Sequence, residues 1–162
     1  MVLAMIGLPF GLPFGLPFPA ADVARMSPLA LAFLGDAVWE LYVRRHILSR
    51  GAGRPHTLHQ ATASYVRAST QAWLARRLAD WLTPDEADIL RRGRNAKPGH
   101  VRRSAGVAEY RHSTGFEALL GYLYGSGQVA RLDEICRMAL AWLDEREGWP
   151  DEAGRSSPQG RG

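Results

Sequence analysis

The chain has 162 residues, 46% of them hydrophobic, and a formal net charge of +4, enough apolar material for one domain with a substantial core. Its single cysteine, Cys136, excludes an intramolecular disulfide and a cysteine-based zinc framework, which points to a reducing, intracellular compartment. The positive balance leans towards a polyanionic partner, but only if the charge is concentrated somewhere along the chain.

Residues 7 to 18 are three copies of Gly-Leu-Pro-Phe, preceded by the apolar, uncharged stretch Met1 to Ile6. A secretory signal needs a basic start and an uninterrupted apolar run, and prolines break a membrane helix, so no membrane segment is expected here. Units this short cannot stack into a solenoid. Residues 1–25 therefore read as a disordered, low-complexity extension whose three phenylalanines could dock on a surface.

Order is expected to begin near Ser27-Pro28, a serine N-cap followed by proline at the first helical position. That helix runs to about Leu48, before Gly51-Ala52-Gly53-Arg54-Pro55 breaks it. A second helix starts behind Thr57, carries Ala61, Ser64, Tyr65, Ala68, Ala72 and Ala75 at helical spacing, and continues to about Leu82. Thr83-Pro84-Asp85-Glu86 opens a third, with an N-cap threonine, a first-turn proline and acids where the helix dipole favours them. It runs through Leu90 into a basic stretch. A loop from about Asn95 to Val107, a helix from Ser113 to Tyr124, a Gly-Ser-Gly turn at 125 to 127 and a last helix from Val129 to Glu145 complete the domain. On that last helix Cys136 lies among Leu132, Ile135, Leu140 and Leu143 as a core residue. No alternating strand pattern appears, so the expectation is an all-α domain over residues 26–145 with a disordered tail over 146–162.

Three stretches carry chemistry. In the first, Leu31 to Glu40, apolar residues at 31, 34, 38, 41 and 42 have the spacing of a buried helix face, and Asp36 and Glu40 sit one turn apart beside it. A carboxylate near a core is costly, so Asp36 is paired with an arginine, caps a backbone or holds a metal ion. In the second, residues 91 to 112 hold seven basic residues against one acid, Glu109, an excess larger than that of the whole chain. Together with its glycines, such a loop suits phosphate contacts, and its lack of aromatics favours a duplex backbone over single-strand stacking. In the third, Tyr110 to Tyr124, Glu117 is again an isolated acid in an apolar setting. Gly35 beside Asp36 and Gly121 one turn after Glu117 would let two helices approach closely. Two facing acids would repel unless a divalent cation lay between them, and all-oxygen donors suit magnesium. The competing reading pairs each acid with one of the many arginines.

Taken together, Leu34-Gly35-Asp36-Ala37-Val38, Arg92-Gly93-Arg94-Asn95-Ala96-Lys97 and Tyr110-Arg-His-Ser-Thr-Gly-Phe-Glu117-Ala-Leu-Leu-Gly-Tyr-Leu-Tyr124 resemble Mini-ribonuclease III, the short branch of the ribonuclease III family, over residues 26 to 145. The resemblance implies a dimeric, all-helical endonuclease that cuts double-stranded RNA with magnesium, leaving 5′-phosphate and 3′-hydroxyl ends, and that matures the precursor of 23S ribosomal RNA in the cytoplasm. It implies that Asp36 and Glu117 are catalytic metal ligands. Arg92, Arg94, Asn95, Lys97, Arg102 and Arg103 would contact RNA, and a ribosomal protein or pre-ribosomal particle is a further candidate partner. Phe33 and Trp39 are candidates for the dimer interface, with a core role as the alternative for each.

The chain also departs from the wider family. The two further acids of full-length ribonuclease III enzymes are replaced by Leu29 and Thr114, a reduction shared with the short branch. Val101-Arg102-Arg103-Ser104 stands where that branch usually has a Pro-Lys-Asn-like segment, keeping charge but not the polar contacts. No double-stranded-RNA-binding domain is expected after Glu145. A catalytically inactive ribonuclease III-like RNA-binding or ribosome-assembly protein is the alternative function. A helical DNA-binding module would instead carry its basic residues on a recognition helix. His56 and His59 lack a third ligand for zinc.

Overall fold

A computed structural model describes residues 18–51, 53–97 and 106–146, and among these every regular element is helical. The elements are α1 (Ala20–Arg25), α2 (Pro28–Ser49), α3 (Pro55–Val66), α4 (Ala68–Leu78), a short 3-10 turn (Ala79–Trp81), α5 (Pro84–Asn95), α6 (Val107–Gly125) and α7 (Val129–Asp144). The all-α expectation holds, and Ser27 caps α2 as its sequence suggests, its side chain accepting from the Ala30 N–H at 3.1 Å.

Helix α6 is the axis of the domain, with α2, α4 and α5 packed around it. Trp39 of α2 is fully buried, stands edge-on to Phe116 of α6 with ring centroids 5.1 Å apart, and donates its Nε1–H to the Tyr65 carbonyl of α3 at 3.1 Å. One ring therefore ties three helices together and has no part in an interface between copies. From α7, Leu132, Ile135, Cys136, Ala139, Leu140 and Leu143 close the same core. Cys136 is fully buried, and burial pushes its thiol pKa up. Where α5 begins, Thr83 and Glu86 form a reciprocal capping box. The same Glu86 carboxylate is gripped by Arg131 Nε and Nη2 of α7, each at 2.9 Å, which supplies the partner a buried charge requires.

Several boundaries differ from the sequence expectation. Structure starts before Ser27: α1 buries Val23 against Leu31, Ala32, Ile89 and Ala118, and the Phe18 N–H donates to the Gly125 carbonyl at 3.0 Å. The single helix expected from Thr57 to Leu82 is two helices, because Arg67 takes an extended conformation between them. Side chains cause this break. Thr70 Oγ1 donates to the Ser64 carbonyl at 2.7 Å and Gln71 Nε2 to the Val66 carbonyl at 3.0 Å, taking carbonyls that a continuous helix would have paired with backbone amides. Helix α6 starts at Val107, six residues before Ser113, whereas α5 ends at Asn95, where the loop is expected to begin, so that Arg91, Arg92 and Arg94 of the basic stretch read as a phosphate-binding loop are helical. On α2 the buried face is Leu31, Gly35, Val38, Trp39, Val43 and Ile47, whereas Leu41, expected inside, is 58% exposed.

Candidate functional site

The site begins where α2 and α6 touch backbone to backbone. A Cβ added at Gly35 would lie 1.7 Å from the Glu117 carbonyl oxygen and 2.8 Å from the Gly121 nitrogen, and one at Gly121 would lie 1.9 Å from the Leu31 carbonyl oxygen. Only glycine fits either position, so the close approach expected from this pair is present. The crossing carries Asp36, next in sequence to Gly35, to the flank of Glu117.

Asp36 is exposed, at the border between the buried and open faces of α2. Partial burial and the neighbouring Glu40 raise its pKa. Glu40 itself is engaged by Arg44 at 2.7 Å. Glu117 lies deeper, and burial, followed by the charge of Asp36, pushes its pKa up to about 7 against the hydrogen bond from Gln71. Among the described residues neither acid has an arginine partner within ion-pair distance. The arginine-pairing alternative therefore has no support, and two acids share one charge-destabilised place.

The positions where full-length relatives have further acids offer no ligand here. Leu29 is a partly exposed apolar residue. Thr114 is buried with its hydroxyl on the Tyr110 carbonyl at 2.9 Å, and Ser113 makes the same bond at 2.8 Å, so neither hydroxyl is a nucleophile awaiting a base. Among the described residues no group of three or more His, Cys, Asp or Glu side chains is arranged to hold a metal ion, and His56 and His59 gain no third ligand.

A second glycine pair seats α5 on the other flank of α6. A Cβ at Gly93 would lie 2.8 Å from the Gly115 Cα, and one at Gly115 would lie 2.7 Å from the Leu90 carbonyl oxygen. Gly93, expected to open backbone to phosphate, thus serves helix packing. Its neighbours point to either side. Arg92 Nη2 reaches the Met26 carbonyl at 3.4 Å. Arg94 approaches His112 of α6, whose pKa is lowered by burial, then by the charges of Arg76 and Arg94. Arg91 pairs with Asp88 at 2.6 Å, Asn95 and Lys97 stand at the end of the helix, and Arg102 and Arg103 lie outside the described residues.

Sequence reasoning missed Gln71, Arg76 and the setting of His112. Gln71 is 1% exposed, and among the described residues its Oε1 is a buried acceptor without a partner, while His112 Nδ1 is likewise buried and unmatched. In sequence these are ordinary polar residues of helices. Only the packing of α4 and α5 on α6 brings Gln71 to Glu117, and Arg76 and Arg94 to His112.

The same helical frame recurs in known proteins. The Ribonuclease III domain family model matches residues 29–128, which span both acids and both glycine pairs. The chain belongs to the ribonuclease III family. Within that family it is similar to Mini-ribonuclease 3 of Symbiobacterium thermophilum, 46% identical over 76% of this chain and 95% of the relative. It is likewise similar to Mini-ribonuclease 3 of Thermoanaerobacter sp., 44% identical over 76% and 87%, and of Staphylococcus aureus, 38% identical over 75% and 92%. The crystal structure of protein FN1578 from Fusobacterium nucleatum shares the fold, with a TM-score of 0.66 and 30% identity over 75% of this chain and 97% of that one. The chain is thus an endoribonuclease of the family that cuts double-stranded RNA. Family membership also disposes of the DNA-binding alternative, which the helical placement of Arg91, Arg92 and Arg94 would not have excluded by itself. No helix among the described residues is long and apolar enough to cross a membrane.

Proposed function

We propose that this ribonuclease III-family chain hydrolyses double-stranded RNA with magnesium held by Asp36 and Glu117. The observation that carries the reading is the pair of unneutralised acids at the Gly35–Gly121 crossing, with Glu117 pushed up to about 7. The donor set fits the ion: two carboxylates with no cationic partner among the described residues are hard oxygen donors that leave room for water and phosphate. When bound, magnesium supplies an acidified water and neutralises charge developing at the scissile phosphate.

The chain's own residues do the rest. Asp36, exposed on its border, reaches towards solvent and RNA, while Glu117 anchors the site from within. Arg92, Arg94, Asn95 and Lys97, continued by Arg102 and Arg103, grip backbone phosphates, and shape rather than sequence is read because the major groove of an A-form duplex is closed to side chains. Four apolar side chains along one open face of α2, Leu29, Phe33, Leu41 and Leu48, are 38%, 86%, 58% and 56% exposed. Such a stripe suits a second copy of the chain, and a two-fold dimer presents one site to each strand of a duplex. Resemblance to the short branch supports the 23S ribosomal RNA precursor as substrate, with a pre-ribosomal particle or ribosomal protein as partner and the cytoplasm as location.

The test is incubation with long double-stranded RNA and magnesium beside the Asp36→Asn variant. The wild type should cut and the variant should lose at least about 100-fold in rate, the scale expected when a charge acting in the transition state is removed. An undiminished Asp36→Asn variant, or a wild type as active in a chelator as in magnesium, refutes the reading.

A further inference from the structure

Resting on the metal reading above, we propose that Gln71 is a positioning residue of this site. Its amide orients the Glu117 carboxylate, and its buried Oε1 faces the water shell of the ion.

Gln71 sits on the first turn of α4, packed against α6, and is 1% exposed. Its amide has two donor hydrogens and an acceptor oxygen. One hydrogen is used on the Val66 carbonyl, with Nε2 at 3.0 Å. The other is left for the Glu117 carboxylate, whose pKa a hydrogen bond from the Gln71 side chain lowers against the effect of burial. The acceptor Oε1 is buried and has no partner among the described residues. A buried carbonyl oxygen without a donor costs about 1–3 kcal/mol. A structural glutamine at the α3–α4 break would need only its bond to Val66, and a hydrophobic residue would fill the space without that cost.

The orphaned oxygen is explained by what comes to the site. Water held by a cation is a strong donor, and Oε1 lies on the residue that also fixes Glu117. Groups around metal ligands commonly hold them in this way, and losing one typically weakens metal affinity about 10- to 100-fold. Gln71 would thus set the rotamer of Glu117 from one side while Asp36 approaches from the other. It is absent from the acid pattern of the site because its contribution is neutral.

Mn2+ is the probe, its binding to folded protein followed by electron paramagnetic resonance, with thermal melts in parallel. Wild type should bind Mn2+ and Glu117→Gln should not. Gln71→Leu should bind about 10-fold more weakly while folded, as judged by circular dichroism, and should lower kcat with KM for RNA unchanged. Because the leucine variant also loses the bond to the Val66 carbonyl, a second variant separates the roles. Gln71→Glu puts a third carboxylate where Oε1 lies, so Mn2+ should raise its Tm by more than it raises that of wild type, since ligand binding stabilises in proportion to its affinity. The inference is overturned if Gln71→Leu binds Mn2+ like wild type, or if Mn2+ raises the Tm of Gln71→Glu by no more than that of wild type. If wild type itself fails to bind, the metal reading falls and this inference falls with it.

Discussion

Glu117 occupies surroundings that a bare carboxylate would avoid, and this has a thermodynamic signature that can be measured without RNA. Its folded-state pKa is about 7 against an ordinary 4.5. The folded protein therefore holds a proton that the unfolded chain has released, and stability falls as pH rises from about 4.5 through about 7. Above that range the ionised side chain is a burden. Glu117→Gln, which keeps the shape and drops the charge, should stabilise the ion-free protein at pH 8 by on the order of 2 kcal/mol and have little effect at pH 4.5, as read by urea denaturation. A variant less stable than wild type at pH 8 would show that the carboxylate has a cationic partner after all. At this scale the sequence is informative about charge and silent about neutrality. Asp36 and Glu117 stand out because acids are rare in apolar helices. Gln71 does not, since Ala-Ser-Thr-Gln-Ala-Trp is an ordinary helical stretch until α6 is laid against it.

Between elements, the decisive contacts are those of glycines. The approach of α2 to α6 is legible because Gly35 and Gly121 each lie near an isolated acid, and small residues at such places have few other uses. Gly93 reads as a loop glycine because its basic neighbours suggest phosphate, whereas its partner Gly115 lies on a helix that begins earlier than its sequence indicates. Nothing in the sequence marks the start of α6: its N-cap is Gly106, which has no side chain to cap with. The α3–α4 break is equally hidden, since no glycine or proline stands at Arg67 and the interruption comes from Thr70 and Gln71 reaching back. Gly35→Ala should cost about 3 kcal/mol or more, because the added methyl meets backbone that cannot swing aside. As a control, Gly53→Ala should change stability by less than about 1 kcal/mol, since its nearest neighbour would be a flexible Leu58 methyl at 3.6 Å. Chemical denaturation of the pair checks both, and equal losses would mean that α2 and α6 can separate without cost.

For the molecule as a whole, the proposed dimer makes the apolar face of α2 the testable surface. Phe33 is 86% exposed and contributes almost nothing to the monomer core, so Phe33→Asp should leave the melting of the monomer nearly unchanged. Sedimentation should then show monomer where the wild type sediments as dimer, with RNA cleavage reduced because the two strands are no longer cut together. A Phe33→Asp protein that remains dimeric places the interface elsewhere.

The burial of Cys136 also gives this protein a built-in clock. It is the chain's one thiol, it has no exposed surface, and its raised pKa keeps it in the unreactive protonated form. A thiol-reactive dye can modify it only when α7 leaves the core. Labelling should therefore be slow in native buffer and accelerate with urea in step with unfolding, so that its rate reports how often the helices come apart.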